Sequence, residues 1–531
     1  MIAMAVMERS GIRALIDSLV EYDDERKLTP GMAVKVMLGP MADHRKKTSL
    51  SRTKYFYNAA PVDLLFGSGV TRDSLNDNAL ARNLDAIWDA GPDRLFWRCS
   101  SLIKERYGFD SKIRHMDATN YSVYAVPPDD AEECVAVPAF GGNAKNGRND
   151  LLQYSAATVT DGDRILEYCK AHSGNASDVV MNKDTMAFLE ACIKPSENTV
   201  VADCKLVNDG LISELNGMGM GFVSKLPSSF SEKIRDRIVD AASASEMTAS
   251  GIKGYSIYEC EEETSGCGKL RFIACRSPAG TKKAMDYLER QGKRDAEKRF
   301  KVFAKKEFAC ETDAIAMFDD VMRTHRGSAY AVTREILRIE EAERRKTRGR
   351  PRKGSGEPGT KVVWKVRTSM EFDKKRAEEL AYVHGISVIV TNLPRVLKDA
   401  ENIRFGATSD TVLRLYLDQY KPEHTYRLMK SGMGVSSVYV HTPSRAAALL
   451  FTVAVATLVN SVMDALLRRN AKGKSRTVSR ICTEIQGAIL AYDRDGDEIY
   501  VMGPDGSASK VFSFMDSLGL DPSTLLDTFG G

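Results

Sequence analysis

The sequence predicts a multidomain α/β protein with a helical N-terminal domain. Helical patterns fill the first hundred residues, and from about residue 113 short β-type runs alternate with helical patterns. A basic segment that contains Gly and Pro, residues 344–360, then separates two such regions. Because 531 residues exceed the ~100–200 residues of a typical domain, we expect three or four domains.

Composition indicates a globular protein of the cytoplasm. Hydrophobic residues make up 43% and charged residues 28% of the chain, and the net charge of +4 permits a polyanionic partner without requiring one. Ten cysteines without a CxxC pair indicate reduced thiols, and no zinc site is expected. The N-terminus lacks a signal-peptide pattern. The apolar run Ala446–Val459 is shorter than the ~20 residues of a membrane span, so no membrane contact is expected.

Residues 1–105 are predicted to form a helical N-terminal domain. Thr29 followed by Pro30 is typical of a helix start, with a capping hydroxyl and a proline in the first turn. Residues 78–90 form an amphipathic helix in this interpretation. Its apolar face contains Leu80, Leu84, Ile87 and Trp88. The basic run His44–Lys47 is either a solvated turn or an edge that contacts phosphates.

The rest of the chain divides into four parts by pattern. They are residues 106–227, 228–385, 386–470 and 471–531, of which the last is predicted to form a small C-terminal accessory unit. The predicted strands of the first part are 113–126, 151–159, 199–202 and 219–226. In residues 228–385, strands are predicted at 257–260 and 270–275 and a helix at 282–325. In residues 386–470, a strand is predicted at 386–390 and helices at 409–431 and 444–468.

Three acidic residues stand out. Asp117 lies inside a strand pattern, Asp203 directly follows the apolar run Val200–Ala202, and Glu423 begins a helical stretch. An acid at the end of a buried strand costs free energy unless it is paired or binds a cation. Taken singly, each Asp is better explained as a turn or capping residue, and Glu423 as the ion-pair partner of Arg427.

Phosphodiester chemistry gives a reason for three acids to converge. Two Mg²⁺ ions about 3.5–4 Å apart activate an attacking oxygen and stabilise a leaving oxygen. Such hard cations prefer carboxylate oxygens. Lys430 and Arg427, on the same helical stretch as Glu423, would then contact phosphates near the metals.

Five segments, in order along residues 28–470, carry a family resemblance. They are Leu75–Arg82; His115–Thr119; Gly142–Leu151 followed by Gly174–Asp178; Val200–Asp203; and the spaced set Tyr416, Glu423 and Lys430. With these segments the chain resembles the DDE transposases of the insertion-sequence-four group, in the branch with a long insertion before the last carboxylate.

The resemblance implies an RNase H-like catalytic core in residues 106–227 and 386–470, interrupted by a mainly β insertion domain at 228–385. It also implies that the helical N-terminal domain, residues 1–105, binds DNA. It also implies cleavage of transposon ends and their joining to target DNA, with two Mg²⁺ or Mn²⁺ ions held by Asp117, Asp203 and Glu423. Lys430, Arg427, Tyr416 and Arg148 would bind DNA. The implied partners are double-stranded DNA, at terminal inverted repeats and target sites, and further copies of the chain in a dimer or larger synaptic complex. Such a protein works in the cytoplasm on the nucleoid.

Two departures from the family pattern keep other functions open. Gln419 stands where the family has an arginine, and Pro422 directly precedes Glu423. Gln cannot make the charged bidentate contact of an arginine, and proline does not fit a helix interior. The alternatives are a catalytically inactive, transposase-derived DNA-binding protein and an RNase H-fold nuclease without strand transfer.

The basic segment 344–360 offers a second type of DNA contact. Seven of the eleven residues 344–354 are basic, and Arg348-Gly-Arg350-Pro has the form of an AT-hook core. Arg348 and Arg350 would lie in a narrow A·T minor groove. The alternative is a solvated basic linker. Trp364 is either a core residue or a platform for base stacking.

Overall fold

A computed structural model gives the fold. The structure describes residues 1–43, 49–123, 136, 139–140, 150–227, 230, 232–264, 266–325, 327–342, 360–419, 423, 425, 427–429, 440, 442–470, 477–485, 487–492, 499–503, 507–522, 525 and 528. The chain divides into two units. Unit 1 contains Met1–Pro227, Glu263–Lys269 and Thr391–Gly531, and unit 2 contains Ser228–Glu262 and Leu270–Val390. The predicted α/β class is confirmed, with a large mixed sheet.

Unit 1 begins with helices, as the sequence predicts. They are α1 (Ile2–Ser10), α2 (Ile12–Leu19), α3 (Pro30–Ala42), α4 (Thr53–Phe56), α5 (Val62–Phe66), α6 (Asp77–Asp89) and α7 (Pro92–Tyr107). The Thr29 side chain caps α3 by accepting a hydrogen bond from the Met32 N–H, and Pro30 occupies the first turn. On α6, Leu80, Leu84 and Ile87 are fully buried. The run His44–Lys47 lies outside the described residues.

Six strands of unit 1 belong to the mixed sheet. They are β1 (Ile113–Val123), β2 (Ala139–Phe140), β3 (Leu152–Asp161), β4 (Leu166–Ser173), β5 (Thr199–Ala202) and β6 (Gly221–Lys225). β3 pairs antiparallel with β1, β2 and β4, whereas β5 is parallel to β1 and β6 is parallel to β5. Helices α8 (Asp178–Cys192) and α9 (Asp209–Gly217) connect β4 to β5 and β5 to β6.

The last part of unit 1 supplies its central helix. The elements are α14 (Ser409–Leu417), α15 (Pro443–Asn470), α16 (Val478–Glu484), β13 (Ile489–Tyr492), β14 (Ile499–Met502) and α17 (Ser507–Ser517). Helices α3, α6 and α7 and strand β4 pack against α15. By length and composition α15 is the helix among the described residues that qualifies as a membrane span, but 94% of its apolar window is buried. It is therefore the core helix of the unit.

Unit 2 mixes helices with strands. Its elements are α10 (Glu232–Ala244), β7 (Thr248–Ala249), most of β8 (Ser256–Thr264) and β9 (Gly268–Arg276), α11 (Pro278–Phe300), α12 (Glu311–Arg323), β10 (Tyr330–Ala342), β11 (Thr360–Phe372), α13 (Lys374–His384) and most of β12 (Ile386–Thr391). β12, β9, β8 and β7 are neighbours in that order, and β10 and β11 form an antiparallel pair.

The expectation of a mainly β insertion is too narrow. α11 alone has 23 residues. Its apolar residues recur at helical spacing, with Leu288, Ala296 and Phe300 buried while the charged side chains between them face solvent. Phe300 and Phe318 of α12 pack together with ring centroids 5.8 Å apart. The helices therefore contribute to the core of this unit together with the strands.

Candidate active site

Asp117 and Asp203 occupy neighbouring positions beside the edge of the sheet where the parallel strands β5 and β6 end. In the parallel pair of β1 and β5 the last matched residues are Met116 and Ala202, so the next residue on each strand is an aspartate. Neighbouring strands lie about 4.8 Å apart, and residues at matched positions point to the same face. The structure therefore places at neighbouring positions two aspartates that are 86 positions apart in the chain.

The local sequence explains why Asp203 is accessible. All four residues of β5 are buried, and the strand ends where Asp203, which is exposed, begins a short 3₁₀ turn. The Asp203 backbone is still extended, with φ −70° and ψ 174°. One carboxylate oxygen accepts a hydrogen bond of 2.7 Å from the Cys204 N–H. An acid can thus sit at the end of a buried strand because its head group reaches solvent.

Asp117 is half-buried on β1. Its backbone position matches Thr158 of β3, and its Oδ1 accepts a 2.7 Å hydrogen bond from the Ala118 N–H. Strand β1 continues beyond Asp117 to Val123, so this carboxylate is held by sheet on both sides of its residue. Asp117 therefore has a more rigid backbone setting than a loop residue.

Two neighbours of Asp203 were not predicted from the sequence as site residues. Ser224 of β6 matches Ala202, is fully buried, and its Oγ donates to the main-chain oxygen of Asp203 at 2.9 Å. Lys225 follows Ser224 and so lies one position further, beside Asp203. The predicted strand at 219–226 contained both residues, but their place beside Asp203 follows only from the parallel pairing. Ser224 fixes the end of β5, and Lys225 adds a positive charge at this edge.

In the described part of the chain, Glu423 does not form a metal-binding group with Asp117 and Asp203. It is helical and exposed. Within the described part of the chain, no group of three or more His, Cys, Asp or Glu side chains is close enough to hold a metal ion. The helix predicted at 409–431 is not continuous, because α14 ends at Leu417. A proline at position 422 disfavours an uninterrupted helix there.

The course of the chain before α14 is set by contacts with the start of β5 and β6. The Asn402 side chain donates to the main-chain oxygen of Glu197 (2.9 Å), and Arg404 Nε donates to that of Gly219 (2.6 Å). Both acceptors precede the parallel strands, at the edge opposite the aspartates. α14 then packs against β5 and β6.

The residues predicted to bind DNA are only partly described. Tyr416 is half-buried near the end of α14, and Arg427 is exposed. Arg148, Arg348, Arg350 and Lys430 lie outside the described residues. The Nε2 atom of Gln419 is buried and has no hydrogen-bond partner among the described residues.

Trp364 is a core residue of unit 2. It is half-buried, packs against the cluster of Phe300, Phe303 and Phe318, and exchanges main-chain hydrogen bonds of 2.9 and 3.0 Å with Phe308. These contacts favour the core interpretation over base stacking.

Comparison with known families gives a match at the N-terminus. Residues 1–101 match the family described as a domain of unknown function, DUF4277. This domain is present in transposase-like proteins. The match covers 101 of the 531 residues, the helical part from α1 to most of α7. The search of curated proteins found no match.

Proposed function

We propose that this protein is a DDE transposase of the insertion-sequence-four type, which cleaves transposon ends and joins them to target DNA by metal-dependent phosphoryl transfer. The observation that carries the proposal is that Asp117 and Asp203 each directly follow the last matched pair, Met116 and Ala202, of the parallel strands β1 and β5. Both belong to the segments on which the family resemblance rests. A DUF4277 domain at the N-terminus adds support.

The order of the strands in unit 1 supports an RNase H-like core. An antiparallel set, β4, β3 and β1, is followed by the parallel strands β5 and β6. In this proposal unit 2 is the insertion, because its residues lie in the chain between β6 and α14. The insertion would carry the basic segment with Arg348 and Arg350, which we propose as a minor-groove contact.

The donor set fits a hard divalent cation. Carboxylate oxygens are the ligands that Mg²⁺ and Mn²⁺ prefer, and Asp117 and Asp203 present two such groups near solvent, leaving room for water and phosphate. When bound, two such ions activate the attacking oxygen and stabilise the leaving one. Ser224 holds the main chain of Asp203, and Lys225 would bind a phosphate oxygen of the DNA beside it.

Glu423 is proposed as the third ligand. α14 starts from a segment fixed near the first residues of β5 and β6, and its nine residues span about 13 Å. The four residues of β5 span about 13 Å as well. A helix of this length is sufficient to return the chain to the edge where Asp203 lies. Arg427, Lys430, Tyr416 and Arg148 would then position the transposon end, and two copies of the chain would hold the two ends.

Cleavage of DNA from the flanks of the gene tests this proposal. With Mg²⁺, the wild-type chain is expected to cut at the ends of inverted repeats, and Asp117→Asn and Asp203→Asn are expected to lower the rate at least about 100-fold, since even residues that only support metal ligands contribute 10–100-fold. Asp110→Asn is the matched control, because Asp110 is an exposed acid before β1. Undiminished cleavage by Asp117→Asn would refute the assignment.

A second candidate is a transposase-derived protein that binds DNA without cutting it. Two observations favour it: Gln419 replaces the family's arginine, and the described residues hold no cluster of three metal-ligating side chains. It predicts specific binding to inverted repeats by the wild-type chain and no cleavage with Mg²⁺ or Mn²⁺. The same assay therefore separates the two candidates.

A further inference from the structure

Three arginines line a cleft beside the first residue of β1, and this cleft is remote from Asp117. The cleft has a volume of about 330 Å³ and is lined by Phe109, Gly162, Asp163, Arg164, Ala465, Arg468 and Arg469. The Gly162 N–H donates to the main-chain oxygen of Ile113, the first residue of β1. Four residues of strand, about 13 Å, therefore separate this end of β1 from Asp117.

The arginines at the end of α15 are oriented by neutral groups. Arg468 donates to the main-chain oxygen of Asp163 at 2.8 Å, and Arg469 donates to those of Tyr107 and Gly108. The Arg469 guanidinium also stacks over the Phe109 ring at 4.0 Å. A carbonyl oxygen carries no net charge, so these contacts fix the guanidinium groups without themselves neutralising their positive charge.

Arg164 adds a third charge from a strained position. It lies in the tight turn between β3 and β4 with φ 72°, a left-handed conformation that side chains other than Gly, Asn and Asp rarely adopt. Among the described residues it is the one positive-φ position that is not glycine. Such strain concentrates at functional positions, since a less costly residue would otherwise occupy the turn.

The charges in the cleft are unequal. Of the lining residues, three are basic and Asp163 is acidic. Burial and then the charge of Arg164 lower the pKa of Arg468, whereas Asp464, Asp163 and Asp161 each act less strongly in the opposite direction. Bringing an anion into the cleft would relieve the repulsion between Arg164 and Arg468. A phosphate suits two or three guanidinium groups in such an arrangement, because it accepts bidentate hydrogen bonds.

We infer that the cleft formed by Arg164, Arg468 and Arg469 binds a backbone phosphate of duplex DNA, as a contact separate from the cleavage site. The inference rests on the proposed function for its choice of DNA over a free phosphate. A backbone contact fixes the position of a duplex without reading its sequence.

Arg164→Gly tests the inference without threatening the fold. Glycine adopts positive φ readily, so the thermal midpoint is expected to stay equal or rise. Affinity of the full chain for a 30-base-pair duplex would be measured in EDTA, where no cleavage occurs, over a series of salt concentrations. The slope of log affinity against log salt is expected to become shallower by about 0.9, with about tenfold weaker binding at 0.1 M salt. Arg164→Lys, which keeps the charge, should retain the slope.

Three results would overturn the inference. The first is an unchanged slope in Arg164→Gly. If the wild-type chain still cuts DNA in a reaction that requires Asp117, this result refutes DNA binding by the cleft and leaves the proposed function standing. The second is that inorganic phosphate binds in a calorimeter and depends on Arg164 while duplex affinity does not, which identifies a free phosphate as the ligand. The third is that the wild-type chain binds no duplex at all, which refutes the proposed function as well.

Discussion

Lys35 is a fully buried ammonium group among the N-terminal helices. Its Nζ donates to Glu8 at 2.6 Å and to the main-chain oxygen of Leu65 at 2.7 Å, and Glu8 also accepts from Arg13. Burial lowers the pKa of Lys35, and the Glu8 carboxylate acts against this. These partners are needed because an unpaired charge in an apolar core is costly.

Replacing Lys35 should therefore destabilise the N-terminal helices. Lys35→Met removes one partner of a buried pair and leaves Glu8 with Arg13 alone, so we expect a loss of about 3 kcal/mol in the free energy of unfolding. Urea titration followed by circular dichroism measures it. Lys27→Met, at an exposed position, is the control and should change stability by less than about 0.5 kcal/mol. Equal effects of the two changes would show that the pair does not stabilise the helices.

A second buried group couples stability to pH. Asp161 is fully buried on β3, opposite Arg114 of β1, with Lys104 3.5 Å away. Burial and then the Glu167 carboxylate raise the pKa of Asp161 to about 7, while Lys104 and the Ile165 N–H act in the opposite direction. The folded chain thus binds a proton at Asp161 more tightly than the unfolded chain does.

The sign of the pH effect follows from this raised pKa. The contribution of Asp161 to stability is fully present below pH about 4 and is lost as the pH rises towards about 7. Asp161→Asn, which keeps an acceptor for the Ile165 N–H, should remove that component. We expect the stability of the variant relative to wild type, measured by urea midpoints, to be greater at pH 8 than at pH 5. Asp110→Asn serves as the exposed control, and a gain that is the same at both pH values would contradict the prediction.

At the scale of elements, an ion pair joins the start of the central helix to α6. Arg445 of α15 donates from Nε and Nη2 to the two carboxylate oxygens of Asp85, each at 2.7 Å. Both side chains are about one-third to two-fifths exposed, so solvent weakens their attraction. The apolar faces of α6 and α15 provide most of the packing energy.

A double-mutant cycle with Arg445→Gln and Asp85→Asn should give a coupling energy of about 1 kcal/mol, the upper range for exposed pairs with bidentate geometry. The measurement is the unfolding free energy of the four chains. The pair Arg480 and Glu484, at 3.2 Å and four positions apart on α16, offers a comparison that should couple less strongly, by about 0.3–0.5 kcal/mol. A coupling of zero between Arg445 and Asp85 would show that packing alone positions α15.

Elements with local signals could be predicted from the sequence. The predicted strand 199–202 coincides with β5, because a short buried run followed by an acid is a local pattern. The start of α3 at Thr29 and Pro30 is also local chemistry. The arms β10 and β11 were not predicted. Their cross-strand ion pairs, such as Arg367 with Glu335 at 3.1 Å, join residues more than thirty positions apart, and neither arm shows them alone.

The same limit applies to the candidate site. The sequence could supply Asp117 and Asp203 as candidates, because each lies in or after a strand pattern. Their adjacency depends on the parallel pairing of β1 with β5, and the position of Lys225 depends on the next pairing, β5 with β6. Long-range strand order is not encoded in either strand separately. The family resemblance therefore supplied the expectation that the two aspartates lie near each other. The pairing of β1 with β5 places them at neighbouring positions.

At the scale of the whole molecule, the proposed site draws on residues from three distant segments. Asp117 and Asp203 precede unit 2 in the chain, and Glu423 follows it. Such a site forms only when the folded sheet unites the segments, so metal binding should report on the folded state of unit 1. The two aspartates already lie at neighbouring positions, on β1 and directly after β5, which makes them the parts of the site most open to direct test.

Exchange of one carboxylate for a thiolate tests the metal-ligand role of Asp203 most directly. Mg²⁺ requires hard oxygen ligands, whereas first-row transition ions accept sulfur more readily. We predict that Asp203→Cys loses DNA cleavage in Mg²⁺ and that its cleavage rate is at least about tenfold higher in Mn²⁺ than in Mg²⁺. Asp110→Cys should cleave like wild type with either ion. Cleavage by Asp203→Cys at the wild-type rate in Mg²⁺ would contradict a metal site at Asp203.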